Sequence, residues 1–148
     1  KKLGRQNIYT GLAEKITQNA REKFYNAQTQ AFFMENADEN PTELANSFAI
    51  LSGIAVGDVA QKIAKRLSNN EFSPCSFSMK CFKYDALLMV DENYKHNILD
   101  EIRAQYKKML DVGDTTVWET ANDEFDEAGS KCHGWSSIPI YYYHKFFT

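Results

Sequence analysis

The sequence is short of cysteine, of basic runs and of long apolar stretches, and each shortage argues against a class of protein. Its three cysteines, Cys75, Cys81 and Cys132, are an odd number at spacings that match no zinc pattern, and Cys132 and His133 are adjacent rather than a helical turn apart. That geometry does not wrap a tetrahedral ion, so no metal is expected, and buried free thiols are the default reading. No apolar run approaches the ~20 residues that a membrane-spanning helix needs. Lysine and arginine number 17 against 20 acidic residues, a net charge of −3, and no basic run exceeds Lys107-Lys108. A basic nucleic-acid surface and a polybasic membrane contact are both unsupported. There is no low-complexity stretch, no exact repeat and no alternating strand with hairpin turns. Lys1 is not a start methionine and no signal-peptide pattern follows it, so the sequence reads as a piece of a longer polypeptide that carries no address of its own.

What is present suits one domain with one modest core: 148 residues, 43% hydrophobic and 25% charged. Aromatic residues make up 14%, and Trp135, Tyr141, Tyr142, Tyr143, Phe146 and Phe147 crowd the end of the chain.

Helical periodicity organises the rest. From about residue 6 to 24, Tyr9, Leu12, Ala13, Ile16, Ala20 and Phe24 recur at three- and four-residue spacing between charged neighbours, an amphipathic helix. Residues 25–39 lose that period and read as an extended or looping connection. Asn40 as N-cap, Pro41 at the first helical position and Glu43 three residues after the cap predict a second helix that stops at Gly53 and is apolar nearly all round. A third begins near Asp58 with the narrow stripe Val59, Ile63, Leu67. The segment FSMKCFKYDALLMV after Ser73-Pro74 is again mostly apolar. Asp91 or Asn93 caps the next helix, whose stripe Tyr94, Ile98, Ile102, Tyr106, Met109 lies opposite Lys95, Glu101 and Lys108, and Gly113 ends it. A final apolar, aromatic helix closes the chain, with Tyr141, Tyr142 and Tyr143 taken as core and His96 and His144 as surface groups. The fold class is therefore all-α: three helical hairpins alternating outer and inner helices. Two concentric layers follow, as in a toroid or solenoid, and three hairpins make only an arc of one. Uncovered inner helices and open edges lead us to expect aggregation or a homo-oligomer.

One loop carries chemistry. Residues 113–137 hold Glu119, Asp123, Glu124, Asp126, Glu127, Trp118, Trp135 and His133. Carboxylates beside aromatic rings suit glycoside chemistry, in which one carboxylate activates water, another protonates the leaving oxygen and flat rings stack on the sugar. An acidic connecting loop is, on chemistry alone, more often simply solvated. Trp118 and Trp135 fit the core or pocket wall as well as a stacking platform, and His133 fits a loop-fixing hydrogen bond as well as a ligand contact.

The order of these residues resembles something specific. Thr115-Thr116-Val117-Trp118-Glu119-Thr120 after Met109-Leu110-Asp111-Val112-Gly113, then Ser130-Lys131-Cys132-His133-Gly134-Trp135-Ser136-Ser137 and Pro139, is similar to the C-terminal signature of the α-L-rhamnosidase family of six-hairpin glycosidases. Leu44-Ala45-Asn46 and Ile50-Leu51-Ser52-Gly53-Ile54-Ala55, within 42–57, resemble an earlier inner helix of the same domain, and the likeness runs through about residues 5–147.

The resemblance implies that residues 1–148 are a single partial domain, the C-terminal half of an (α/α)6 barrel, with the N-terminal half absent. It implies inverting hydrolysis of terminal α-L-rhamnosides, with Glu119 as general base and His133 against the sugar near the reacting centre. Trp135 and Trp118 would line the sugar site. The general acid would come from the missing half, and the piece alone would be inactive. No metal or organic cofactor is required, because carboxylates suffice for this reaction. The partner would be a rhamnosylated glycan or glycoside, and bacterial members of the family fit a periplasmic or extracellular setting. Two alternatives stay open: a non-catalytic helical scaffold that binds a protein on its concave face, and a related barrel enzyme acting on another glycoside.

Overall fold

A computed structural model describes residues 9–34, 40–120 and 129–148. Six α-helices dominate them: α1 (Thr10–Phe24), α2 (Glu43–Leu51), α3 (Gly57–Ser68), α4 (Lys80–Val90), α5 (Lys95–Asp111) and α6 (Ile138–Phe147). The all-α class holds. One departure lies in the connection after α1, where β1 (Tyr25–Asn26) pairs antiparallel with β2 (Ala31–Phe32). Asn26 builds its turn by accepting from the Gln28 and Thr29 amides, at 2.9 and 3.1 Å. Residues 35–39 of the expected connection lie outside the described residues.

The helix boundaries follow local chemistry. The cap of α2 is Thr42 rather than Asn40: Thr42 Oγ1 accepts from the Ala45 amide at 3.2 Å. Asn40 and Pro41 are displaced from those roles because 41–43 is drawn alongside Ser73, whose carbonyl accepts from the Glu43 amide and whose amide donates to the Pro41 carbonyl. Gly53 and Gly113 end α2 and α5 with φ of +74° and +78°, where a side chain would be strained. Asp91 accepts from the Asn93 amide at 2.8 Å and so starts the 3-10 turn that leads into α5.

The core centres on α4. Helices α2 and α3 pack against it and against each other, and α6 meets it through Tyr142. That ring is fully buried, stands edge-on to Tyr84, and its hydroxyl donates to the Cys81 carbonyl and the Asp85 carboxylate, both at 3.0 Å. Ile98 and Ile102 of α5 join the same apolar cluster as Ile50, Ile63, Leu67 and Leu87. Tyr141 and Tyr143 are exposed, which corrects their reading as core: three consecutive helical residues point in three directions, and one of them faces α4. His96 and His144 are exposed as expected.

Asn46 ties α2 to β2. Its side-chain oxygen accepts from the Phe32 amide at 2.9 Å, and its amide group donates to the carbonyls of Phe32 and Thr42 at 3.1 and 2.9 Å. Helix α1 contributes no buried side chain: Tyr9, Leu12 and Ile16, the stripe that made it amphipathic, are exposed. It is held by β1 and by Arg21, whose guanidinium donates to the Ile54 carbonyl. Ala20 and Phe24 also line an apolar groove of about 370 Å³ with Phe32, Met34, Phe48 and Ile54.

Candidate active site

The loop after α5 is built from its helix end outward. With Gly113 in the left-handed region, the Asp114 amide returns to the Met109 carbonyl at 3.0 Å, which turns the Asp114 side chain toward the loop. Asp114 accepts from the Trp118 indole N–H at 2.7 Å, and the Lys131 ammonium lies 3.5 Å from the same oxygen and 5.0 Å above the indole. Trp118 is thereby sunk to 5% exposure against Phe77 and Met109. The two limbs of the loop are stitched together around that anchor. The Glu119 amide donates to the Ser130 carbonyl and the His133 amide to the Val117 carbonyl, both at 2.8 Å, while the Thr116 hydroxyl donates to the Lys131 carbonyl.

This stitching brings together two of the residues singled out from sequence. Glu119 Oε2 accepts from the Ser130 amide at 3.0 Å and lies 4.0 Å from His133 Nδ1. Both side chains reach solvent, Glu119 at 42% and His133 at 26% exposure. Trp135 follows in the 3-10 turn Gly134–Ser136 and is 81% exposed. That turn is pinned from beneath by the Tyr106 hydroxyl, which donates to the Ser136 carbonyl at 2.6 Å. Of the two places open to Trp118, core or stacking platform, the structure shows the buried one: its ring is covered and its N–H is engaged by Asp114, with Lys131 brought over the ring by the pairing of the two limbs. Asp123, Glu124, Asp126 and Glu127 lie outside the described residues. Cys132 is exposed and Cys75 and Cys81 are half-buried, which corrects their reading as buried thiols.

A second polar constellation was invisible in the sequence. Glu43 on α2, Lys80 and Lys83 on α4 and Glu101 on α5 form a buried ring of two cations and two anions. Lys80 Nζ lies 2.8 Å from Glu43 and 2.9 Å from Glu101; Lys83 Nζ lies 2.6 Å from Glu43 and 2.8 Å from Glu101. Asn70, in the left-handed region at φ 55°, accepts from Lys83 at 2.6 Å. Glu101 was expected on a solvated face and Glu43 in a capping box; both instead complete this ring. Burial alone would raise the Glu43 pKa, but Lys83 and Lys80 outweigh it and hold the carboxyl below its ordinary value. Burial likewise would lower Lys80, yet Glu101 and Glu43 hold it above its ordinary value. Burial pushes the neighbouring Cys75 thiol up to about 12, which leaves it protonated and inert near neutrality. The one available signal was the pair Lys80 and Lys83 inside an otherwise apolar segment.

Among the described residues no group of three or more His, Cys, Asp or Glu is placed to hold a metal ion, and no helix is long and apolar enough to cross a membrane. No family model matches the chain, and no curated protein matches it. Solved structures do. A GH78 family rhamnosidase of Bacillus sp. GL1 superposes with a TM-score of 0.77 at 23% identity, over 92% of this chain and 16% of that one. The chain folds like a segment of a rhamnosidase. A rhamnosidase from Klebsiella oxytoca, solved with rhamnose bound, superposes with a TM-score of 0.74 at 17% identity, over 91% of this chain and 28% of its own. The all-α arc of hairpins is thus the architecture of part of these larger enzymes, of whose length the chain spans well under a third.

Proposed function

We propose that the chain is part of a glycoside hydrolase that cleaves terminal α-L-rhamnosides with inversion, with Glu119 as the general base. The observation that carries this reading is the approach of Glu119 to His133 at the solvent-facing rim of the loop after α5, in a chain whose overall fold is similar to part of rhamnosidases. One carboxylate oxygen is held by the Ser130 amide, and among the described residues no hydrogen bond reaches the other, which is where an attacking water would be activated. His133 contacts the sugar beside the reacting centre, Trp135 offers the exposed ring for stacking, and Trp118 supports the loop from beneath. Inversion needs a second carboxyl group roughly 6.5–9.5 Å away across the sugar. That general acid lies outside this chain, so residues 1–148 alone turn over nothing measurable, a base without its acid and pocket losing both proton donation and positioning.

The test is hydrolysis of a chromogenic α-L-rhamnoside by the full natural polypeptide, wild type and Glu119→Gln. Glutamine keeps the shape and removes the base, and a loss of about a hundredfold or more is the size expected of one. Full activity in Glu119→Gln makes the residue structural. Inactivity of the wild type on rhamnosides with cleavage of another glycoside moves the specificity and keeps the barrel. Turnover by residues 1–148 alone refutes the placement of the acid.

A further inference from the structure

We propose that Gly129 and the backbone amide of Ser130 are positioning residues for the Glu119 carboxylate: glycine at 129 supplies the space that the carboxylate occupies, and the Ser130 N–H anchors it through one oxygen. This rests on the reading of Glu119 as general base. A Cβ built on Gly129 falls 2.5 Å from Glu119 Oε2, 3.1 Å from its Cδ and 3.3 Å from its Cβ. Gly129 also sits at φ +64°, in the left-handed region. The glycine therefore answers two demands at once, the turn that brings Ser130 back to Glu119 and the room beside the carboxylate.

The seat is asymmetric. The Glu119 amide donates to the Ser130 carbonyl, and the Ser130 amide donates to Glu119 Oε2. Glu119 thus pairs with Ser130 through main chain in one direction and through its own side chain in the other. The Ser130 amide thus holds one oxygen of the carboxylate against the loop, and among the described residues no hydrogen bond reaches the other. A methyl group at 129 meets the soft end of a flexible side chain, not backbone. Beyond the strain of a side chain at positive φ, the displacement therefore falls first on the carboxylate. A displacement of about 1 Å at a reacting group can cost on the order of a hundredfold in rate.

The experiment uses the full natural polypeptide and a chromogenic α-L-rhamnoside. Gly129→Ala is expected to lower kcat about a hundredfold with KM within about threefold of wild type, the pattern of lost positioning rather than lost substrate binding. In a Glu119→Asp background the carboxylate is one methylene shorter and loses the 2.5 Å contact with the new methyl, while the backbone strain at 129 is unchanged. There the same substitution is expected to cost less than about threefold, a coupling between neighbours that a double-mutant cycle reads directly. Equal losses in the two backgrounds, or Gly129→Ala within about threefold of wild type in kcat, overturn the proposal. A second readout is independent of turnover. In protein labelled with [15N]serine, the Ser130 amide resonance is expected to shift in both Glu119→Gln and Gly129→Ala, and an unmoved resonance overturns the clamp. Full activity of Glu119→Gln together with a shifted Ser130 resonance would sink the base assignment and leave the clamp standing as loop structure.

Discussion

Lys83→Met is the most demanding test of the buried ring. The Lys83 side chain is fully buried, and its ammonium lies 2.6 Å from Glu43, 2.8 Å from Glu101 and 2.6 Å from Asn70 Oδ1. Methionine fills nearly the same volume, so the change removes a charge and three partners without opening a large cavity. Glu43 and Glu101, with side chains 1% and 8% exposed, are then left sharing the single cation Lys80. Removing one member of a buried ion pair costs about 3–5 kcal/mol, because it leaves a buried charge incompletely compensated. Against a total stability of about 5–15 kcal/mol for a domain, that is a large share. At about 2–4 °C per kcal/mol for a chain of this size, the melting temperature should fall by roughly 10 °C. Thermal and urea unfolding, both followed by far-ultraviolet circular dichroism, measure the two quantities. Adding Glu101→Gln restores neutrality with one lysine and one glutamate, and should recover part of the loss as a favourable coupling of about 0.5–3 kcal/mol. Lys83→Met within about 1 kcal/mol of wild type, or a double variant no better than the sum of the singles, would refute the claim that this ring holds α2, α4 and α5 together.

The ring also predicts how stability depends on pH. The Glu43 pKa is held below its ordinary 4.5, so its contribution is complete above that value and is lost as pH falls through the lower folded-state pKa. Lys80 is held above 10.5, so its contribution is complete below that value and is lost as pH rises through the higher folded-state pKa. Urea midpoints across pH should form a plateau with both shoulders, and Lys80→Met should remove the alkaline one; an unchanged alkaline shoulder would exclude Lys80 as its source. Asn46→Ala leaves the Phe32 amide and carbonyl without the side chain that satisfies them. It should cost about 1–3 kcal/mol in the same unfolding assay, and a loss below about 0.5 kcal/mol would mean that β2 is held by packing alone.

Local signals in the sequence reached their targets where the partner is nearby in the chain. Gly53 and Gly113 end their helices, Asp91 starts the turn before α5, and the stripe of Ile98, Ile102 and Met109 is buried. Long-range partners defeated the same reasoning. Lys83 lies 40 residues from Glu43, and no periodicity records that a lysine in an apolar segment has a carboxylate waiting on another helix. Thr42 replaced Asn40 as the cap because Ser73, far along the chain, pulls residues 41–43 into a bridge. At the candidate site, sequence order alone brought out Trp118, Glu119, His133 and Trp135. What it could not carry is the direction of each ring: the two tryptophans look alike in the sequence, yet one is buried with its N–H engaged and the other stands in solvent.

Helix α1 has 15 residues and buries none of them. An isolated helix of that length is marginal in water, and most helical stability in proteins comes from packing an apolar face. With Tyr9, Leu12 and Ile16 exposed, α1 draws on the core only through its C-terminal end, where Ala20 and Phe24 meet the groove, so its first turns should open at a small fraction of the global unfolding free energy. Its amides would exchange with solvent while those of α4 remain protected, and a protease would find this helix long before the core yields. The chain thus grades in stability from a body locked by buried charge and aromatic contacts to a helix fastened mainly at its C-terminal end, through Phe24 and Arg21.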